Sequence, residues 1–125
     1  MKDIVLTDKG PKPIGPYSQA VKSNGFLFAS GQVSLDPRSN EFVPGDVRQQ
    51  TERVLENIKG ILEAGGVNLH HVVKTTVFLK EMNDFAAMNE VYGKYFTAAP
   101  PARSTVQVAR LPKDALVEIE VIASL

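Results

Sequence analysis

Three charged residues near the C-terminal end have the types and spacing for chemistry: Arg103, Glu118 and Glu120. Arg103 follows two prolines in PPARSTVQV, and the glutamates interrupt the alternating run DALVEIEVIAS. Successive side chains of a strand point to opposite faces. Ala115, Val117, Ile119, Val121 and Ala123 therefore share a wholly apolar face that must pack on something, most simply a helix. Leu116, Glu118, Glu120 and Ile122 share the other, which is too apolar for a plain solvent face and too charged for a plain core. A carboxylate on such a strand, with an arginine near it in sequence, could bind and hydrolyse a small anionic substrate. The plainer alternative is that these groups are solvated or sit in surface ion pairs worth little.

Other chemistries lack their residues. The chain has no cysteine, so it offers no disulfide, thiolate nucleophile or cysteine-ligated zinc. His70 and His71 are adjacent, and neighbours on an extended chain point apart, so they make a poor metal pair. There is no P-loop, GxGxxG, GxSxG or HExxH pattern. The expectation is a site with no metal and no cofactor. Fourteen Lys and Arg balance fourteen Asp and Glu, which gives no electrostatic footprint for duplex nucleic acid or an acidic membrane.

A length of 125 residues predicts one domain, 1–125, and 43% hydrophobic content suffices for one core. No segment approaches the ~18 consecutive apolar residues of a membrane span. The start, MKDIVLTDKGPKP, is too polar for a signal peptide. A soluble, cytoplasmic protein is expected.

The elements that must position Arg103 and the glutamates can be read in order. Ile4 to Leu6 suggests a short edge strand, and GPKPIGPYSQA a loop pinned against the body. Asn24-Gly25 between two apolar runs, Ala20–Ser23 and Phe26–Ser30, is a hairpin signature. Gly31 at the end of the second run suggests a bulge or a close backbone approach. Leu35 to Gly45 is loop. Asp46 to Ala64 is a helix with a capping box from Asp46 and Gln49. Its stripe is Val47, Val54, Leu55, Ile58, Ile61 and Leu62, and Gly65-Gly66 ends it.

Val72 to Lys80 is a strand with Val73, Thr75, Val77 and Leu79 on one face. Asn83 or Asp84 caps a second helix running to about Phe96, with Phe85, Met88, Tyr92 and Tyr95 or Phe96 buried. Asn89 lies beside that stripe, where an amide needs a partner. The turn at Arg110–Asp114 would pair the last two strands as a hairpin. Two helices with one-sided stripes and five or six strands make an α+β (α/β) two-layer sandwich. The uncovered sheet face then calls for a second copy of the chain.

Several blocks, in this order and spacing, resemble the RidA/YjgF family of reactive enamine/imine deaminases. They are IGPYSQAV at 14–21, FASGQV at 28–33, QQTERVLENIKGILEAGG at 49–66, VVKTTVFLKEMNDFAAMNEVY at 72–92 and PARSTVQVARLPKDALVEIE at 101–120. The resemblance implies a chorismate-mutase-like fold, with a mixed six-stranded sheet and two helices on one face. It also implies a homotrimer with sites in clefts between subunits. It moves the last strand away from the hairpin, to between the Phe26 and Val72 strands.

By the same resemblance, Arg103 holds the substrate carboxylate and Glu118 acts on water. Tyr17, Ser30, Gly31 and Asn89 are further cleft residues. So is Thr105, which stands where many relatives have cysteine, and this puts in doubt any behaviour tied to that thiol. The implied reaction is hydrolysis of 2-aminoacrylate and 2-aminocrotonate, as their imine tautomers 2-iminopropanoate and 2-iminobutanoate, to 2-keto acids and ammonia. Its setting would be isoleucine synthesis or general metabolite damage control. Some relatives are described instead as translation-inhibiting RNA endonucleases or holdase chaperones. The balanced charge weighs against RNA as a partner, because phosphate contacts need clustered Lys and Arg. A small-metabolite sensor, binding without turnover, is a third reading.

Overall fold

The computed structural model describes residues 1–125. In chain order the elements are β1 (Asp3–Val5), β2 (Ala20–Ser23), β3 (Phe26–Gln32), α1 (Val47–Ala64), β4 (Val72–Leu79), α2 (Phe85–Tyr95), β5 (Ala102–Gln107) and β6 (Val117–Ser124). One mixed sheet takes all six strands in the order β1-β2-β3-β6-β4-β5. Both helices lie on one of its faces, so the α+β two-layer expectation holds. No helix is long and apolar enough to cross a membrane.

Local chemistry accounts for most of these elements. Asn24 and Gly25 both take positive φ, 52° and 82°, and close the β2–β3 hairpin with Ser23 opposite Phe26. At the start of α1 the Asp46 carboxylate accepts from the Gln49 amide at 2.9 Å, and the Asp46 amide donates to Gln49 Oε1 at 2.9 Å. Two of the helix's unpaired donors are thereby satisfied. Every residue of the expected α1 stripe is buried. The helix stops at Gly65, and Gly66 takes the left-handed turn at φ 84°. The loop before β2 is pinned by the buried Gln19. Its Nε2 reaches the carbonyls of Thr7, Gly10 and Pro11 at 2.8–3.1 Å, and its Oε1 accepts from the Thr7 amide.

Three details differ from the reading of the residues. The last two strands are not a hairpin. β5 runs parallel to β4 at the sheet edge, and the chain then crosses to insert β6 antiparallel between β3 and β4. Val117, Ile119, Val121 and Ala123 thus lie at the sheet centre under the helices, as their alternation requires. On β4, Val73 does not share the buried face with Thr75. The pairing with β6 slips between Val72 and Lys74, so Val72 turns inward and Val73 is exposed. Neither Asn83 nor Asp84 caps α2 with its side chain; the helix is entered through a 3₁₀ turn, Met82–Asp84.

The sheet face away from the helices carries Phe26 and Phe28, each about 40% exposed, beside Ile122, Glu118 and Glu120. Apolar rings and carboxylates are thus mixed on this face.

Candidate active site

Arg103 sits on the edge strand β5 opposite Thr75 of β4, and its side chain extends on the helix side of the sheet. The guanidinium lies 4.7 Å from the Tyr92 ring centroid and 5.3 Å from that of Phe85. Nη1 donates to Asn89 Oδ1 at 2.7 Å, which gives Asn89 the partner its position demands. Tyr92 is itself fixed by a 2.8 Å hydrogen bond between its hydroxyl and Thr75. Burial pushes the Tyr92 hydroxyl above its ordinary value, so the platform under the guanidinium stays neutral.

None of the three salt bridges in the chain involves Arg103. A half-buried cation held only by rings and an amide retains donors for an incoming carboxylate. Thr105, two residues along the same face, has a buried hydroxyl with no hydrogen-bond partner. That costs stability unless a ligand supplies the partner.

Glu118 lies on β6 opposite Phe78, on the face away from the helices. Its carboxylate occupies the space in front of Gly31. A β-carbon there would overlap Oε2 and stand 2.9 Å from the carboxylate carbon. The pairing of β3 with β6 is irregular between Ala29 and Gln32, so of the two expectations for Gly31 the bulge is met, and what closes on the glycine is the Glu118 side chain. Burial raises the Glu118 carboxyl above its usual range, and the Glu120 charge adds to this.

A cavity of about 300 Å³ opens in front of Glu118, lined also by Tyr17, Gly31, Gln32 and Lys113. The Tyr17 hydroxyl accepts from the Ile14 amide at 3.2 Å. Ser30 donates to the Ser18 carbonyl at 2.6 Å and borders an adjoining pocket that shares Tyr17. Glu120 is exposed and lies opposite Thr76.

The candidate residues therefore fall into two sets. Tyr17, Ser30, Gly31 and Glu118 gather around one cavity and its neighbour; Asn89, Arg103 and Thr105 gather around α2 and β5. Within one chain the sets are not brought together. Two strand spacings and three residues of register put the Arg103 and Glu118 backbones roughly 14 Å apart, with side chains on opposite faces.

His70 and His71 line neither cavity; the His71 ring turns back to Asn68. No group of three or more His, Asp or Glu is placed to hold a metal ion. The residues alone gave no sign that Phe85 and Tyr92 support the guanidinium, although a hydroxyl in an apolar stripe was a usable hint. Lys113 and Gln32 carried no sequence signal at all.

Fold and site together define a class: a two-layer α+β protein with an unpaired arginine on the helix side of its sheet and a half-buried carboxylate on the other. The sequence profile of the Endoribonuclease L-PSP family matches residues 7–125, and the chain belongs to this family, in which the RidA/YjgF proteins fall. It is 59% identical over 123 residues to a RutC family protein of Pyrococcus horikoshii, covering 98% of each chain. It is 48% identical over 123 residues to the mouse 2-iminobutanoate/2-iminopropanoate deaminase, covering 98% of this chain and 91% of the mouse protein. Among solved structures, Escherichia coli TdcF with bound serine superposes with a TM-score of 0.93 at 45% identity, covering 98% of both chains.

Proposed function

We propose that this chain is a metal-independent, single-domain cytoplasmic deaminase that hydrolyses 2-imino acids, 2-iminopropanoate and 2-iminobutanoate among them, to 2-keto acids and ammonium. The active unit is a homotrimer, and each site is completed by Arg103 of one copy and Glu118 of the next. One observation carries this reading: the anion-ready arginine and the half-buried carboxylate stand on opposite faces of one sheet, which two adjoining copies can bring face to face. The mouse relative's name, at 48% identity, supports the chemistry.

The roles follow from the residues. Arg103 takes the substrate carboxylate with its paired N–H groups, oriented by Asn89 and the two rings. Thr105 offers its unpartnered hydroxyl to the same ligand. Tyr17, Ser30 and Gly31 form the opposite wall. A protonated imine is already a strong electrophile, so no metal is required. Water adds to the imine carbon as Glu118 accepts a proton. Glu118 returns that proton to the nitrogen; as the C–N bond breaks, the carboxylate takes the hydroxyl proton of the tetrahedral intermediate and passes it to the departing ammonia, so keto acid and ammonium leave. The raised affinity of Glu118 for a proton suits a group that must both accept and return one.

The test is to generate 2-iminobutanoate in a cuvette and follow its disappearance. Wild type should accelerate the loss, and Arg103→Ala should remove most of the acceleration; equal rates with and without protein would sink the reading. The family's description favours a second reading, RNA cleavage. An Arg103→Ala variant that still cleaves RNA would assign that activity to a separate site.

A further inference from the structure

The cavity in front of Glu118 holds a second charge that hydrolysis of a simple monocarboxylate leaves unused. Lys113 lines it, and is the one cation that does. Lys113 forms no ion pair, since the salt bridges are Lys9–Glu63, Arg48–Glu90 and Arg110–Asp114.

The backbone there is unusual. Lys113 (φ 61°) and Asp114 (φ 53°) are consecutive left-handed residues, and a long side chain such as lysine rarely adopts this conformation. The surroundings hold it. The Asp114 amide donates to the Leu111 carbonyl and the Ala115 amide to that of Pro112, both at 3.1 Å. Arg110 grips both Asp114 carboxylate oxygens at 2.7 and 3.2 Å, while Leu111 and Ala115 are buried. Arg110 thus takes the charge of Asp114, and that of Lys113 is left free. Strain maintained in this way clusters at functional sites.

We propose that Lys113 is a specificity-determining residue whose ammonium receives a second anionic group on the substrate, so that the site accepts 2-imino dicarboxylates. The proposal rests on the deaminase reading above. In that reading, Arg103 of one copy and Glu118 of another fix the carboxylate and the imine carbon. The substrate's side chain then extends into the cavity, whose remaining wall is largely apolar, with Ile14, Val33 and Leu35. A distal carboxylate entering there would lose water without a counter-charge. Lys113, exposed at the rim, supplies one. The bonds made and broken are those of the monocarboxylate reaction.

Lys113→Asn tests this well, because asparagine tolerates the left-handed turn while removing the charge; Lys113→Arg restores a cation. Initial rates are compared for 2-iminoglutarate and 2-iminobutanoate, each generated in situ by an amino-acid oxidase. Binding of 2-ketoglutarate and 2-ketobutyrate is measured by calorimetry. In Lys113→Asn the kcat/KM ratio of iminoglutarate to iminobutanoate should fall about 5-fold, as loss of a rim charge pair implies. The fall should come through KM, with a parallel loss of 2-ketoglutarate binding, and Lys113→Arg should recover both. An unchanged ratio, or a wild type that neither binds 2-ketoglutarate nor hydrolyses iminoglutarate, overturns the proposal and leaves hydrolysis of iminobutanoate untouched. A wild type that turns over neither imine, yet binds 2-ketoglutarate through Lys113, overturns the deaminase reading and keeps the anion subsite.

Discussion

The carboxylate of Glu118 stands where a β-carbon on residue 31 would be, so the seat of Glu118 exists only because residue 31 is glycine. Gly31 has no positive φ, so the requirement is for space rather than for backbone freedom. Gly31→Ala should push the carboxylate aside while leaving Arg103 intact. We expect kcat for 2-iminobutanoate to fall about 10²-fold, the cost of misplacing a catalytic group by about 1 Å. KM should change little. Steady-state kinetics would show this, and a Gly31→Ala enzyme with normal kcat would mean that Glu118 needs no fixed position.

Arg103 and Glu118 should fail differently. Arg103→Lys keeps the charge but loses the fork and its stacking on Tyr92 and Phe85, so the main effect is a higher KM with weaker binding of 2-ketobutyrate. Glu118→Gln keeps the shape and removes the proton acceptor, so kcat should drop by about 10²–10⁴-fold while 2-ketobutyrate still binds. Glu120→Gln is the internal control and should cost much less. An inactive Glu120→Gln beside an active Glu118→Gln would reassign the acceptor.

The pH dependence carries a sign. Folding raises the Glu118 pKa, through burial first and the Glu120 charge second. Activity that needs the carboxylate should therefore fail on the acid side at a higher pH than an ordinary glutamate would give. Glu120→Gln should move that acid limb to lower pH. The native state holds the Glu118 proton more tightly than the unfolded chain does. The resulting stabilisation is present below the unfolded-chain value and is lost as pH rises through the native one. Glu118→Gln should accordingly melt higher than wild type at pH 7, and the gap should close in acid. Calorimetric scans at both pH values check this; a Glu118→Gln protein less stable at pH 7 would contradict it.

Thr105 should show a similar trade. Its buried hydroxyl has no partner, a defect of about 1–3 kcal/mol that valine of similar shape avoids. Thr105→Val should melt higher and bind 2-ketobutyrate more weakly. Higher stability with unchanged binding would remove Thr105 from the ligand contacts.

Much of the fold was legible because local chemistry and packing agreed. The Asp46–Gln49 box, the Asn24-Gly25 turn and the Val117–Ala123 alternation each decide a structure over a few residues. What was not legible depends on pairing across the sheet. The slip that exposes Val73 exists only in register with β6, and the insertion of β6 between β3 and β4 contradicts what its short connection to β5 suggests; the family resemblance placed that strand correctly where the residues alone did not. The site divides in the same way. Asn89 could be read as needing a partner, because an amide beside an apolar stripe must find one. That Arg103 and Glu118 face opposite ways depends on strand order and register, which no residue type announces.

In the proposed trimer each site draws Arg103 and Glu118 from different copies of the chain. Arg103→Ala and Glu118→Gln proteins, each nearly inactive alone, would be unfolded together in equal amounts, refolded, and assayed with 2-iminobutanoate. Random assembly gives a site with both native residues about one time in four, so the mixture should recover roughly a quarter of wild-type activity, and light scattering should report a trimer. A mixture no more active than its parents, or a monomer mass for the wild-type protein, would contradict the account.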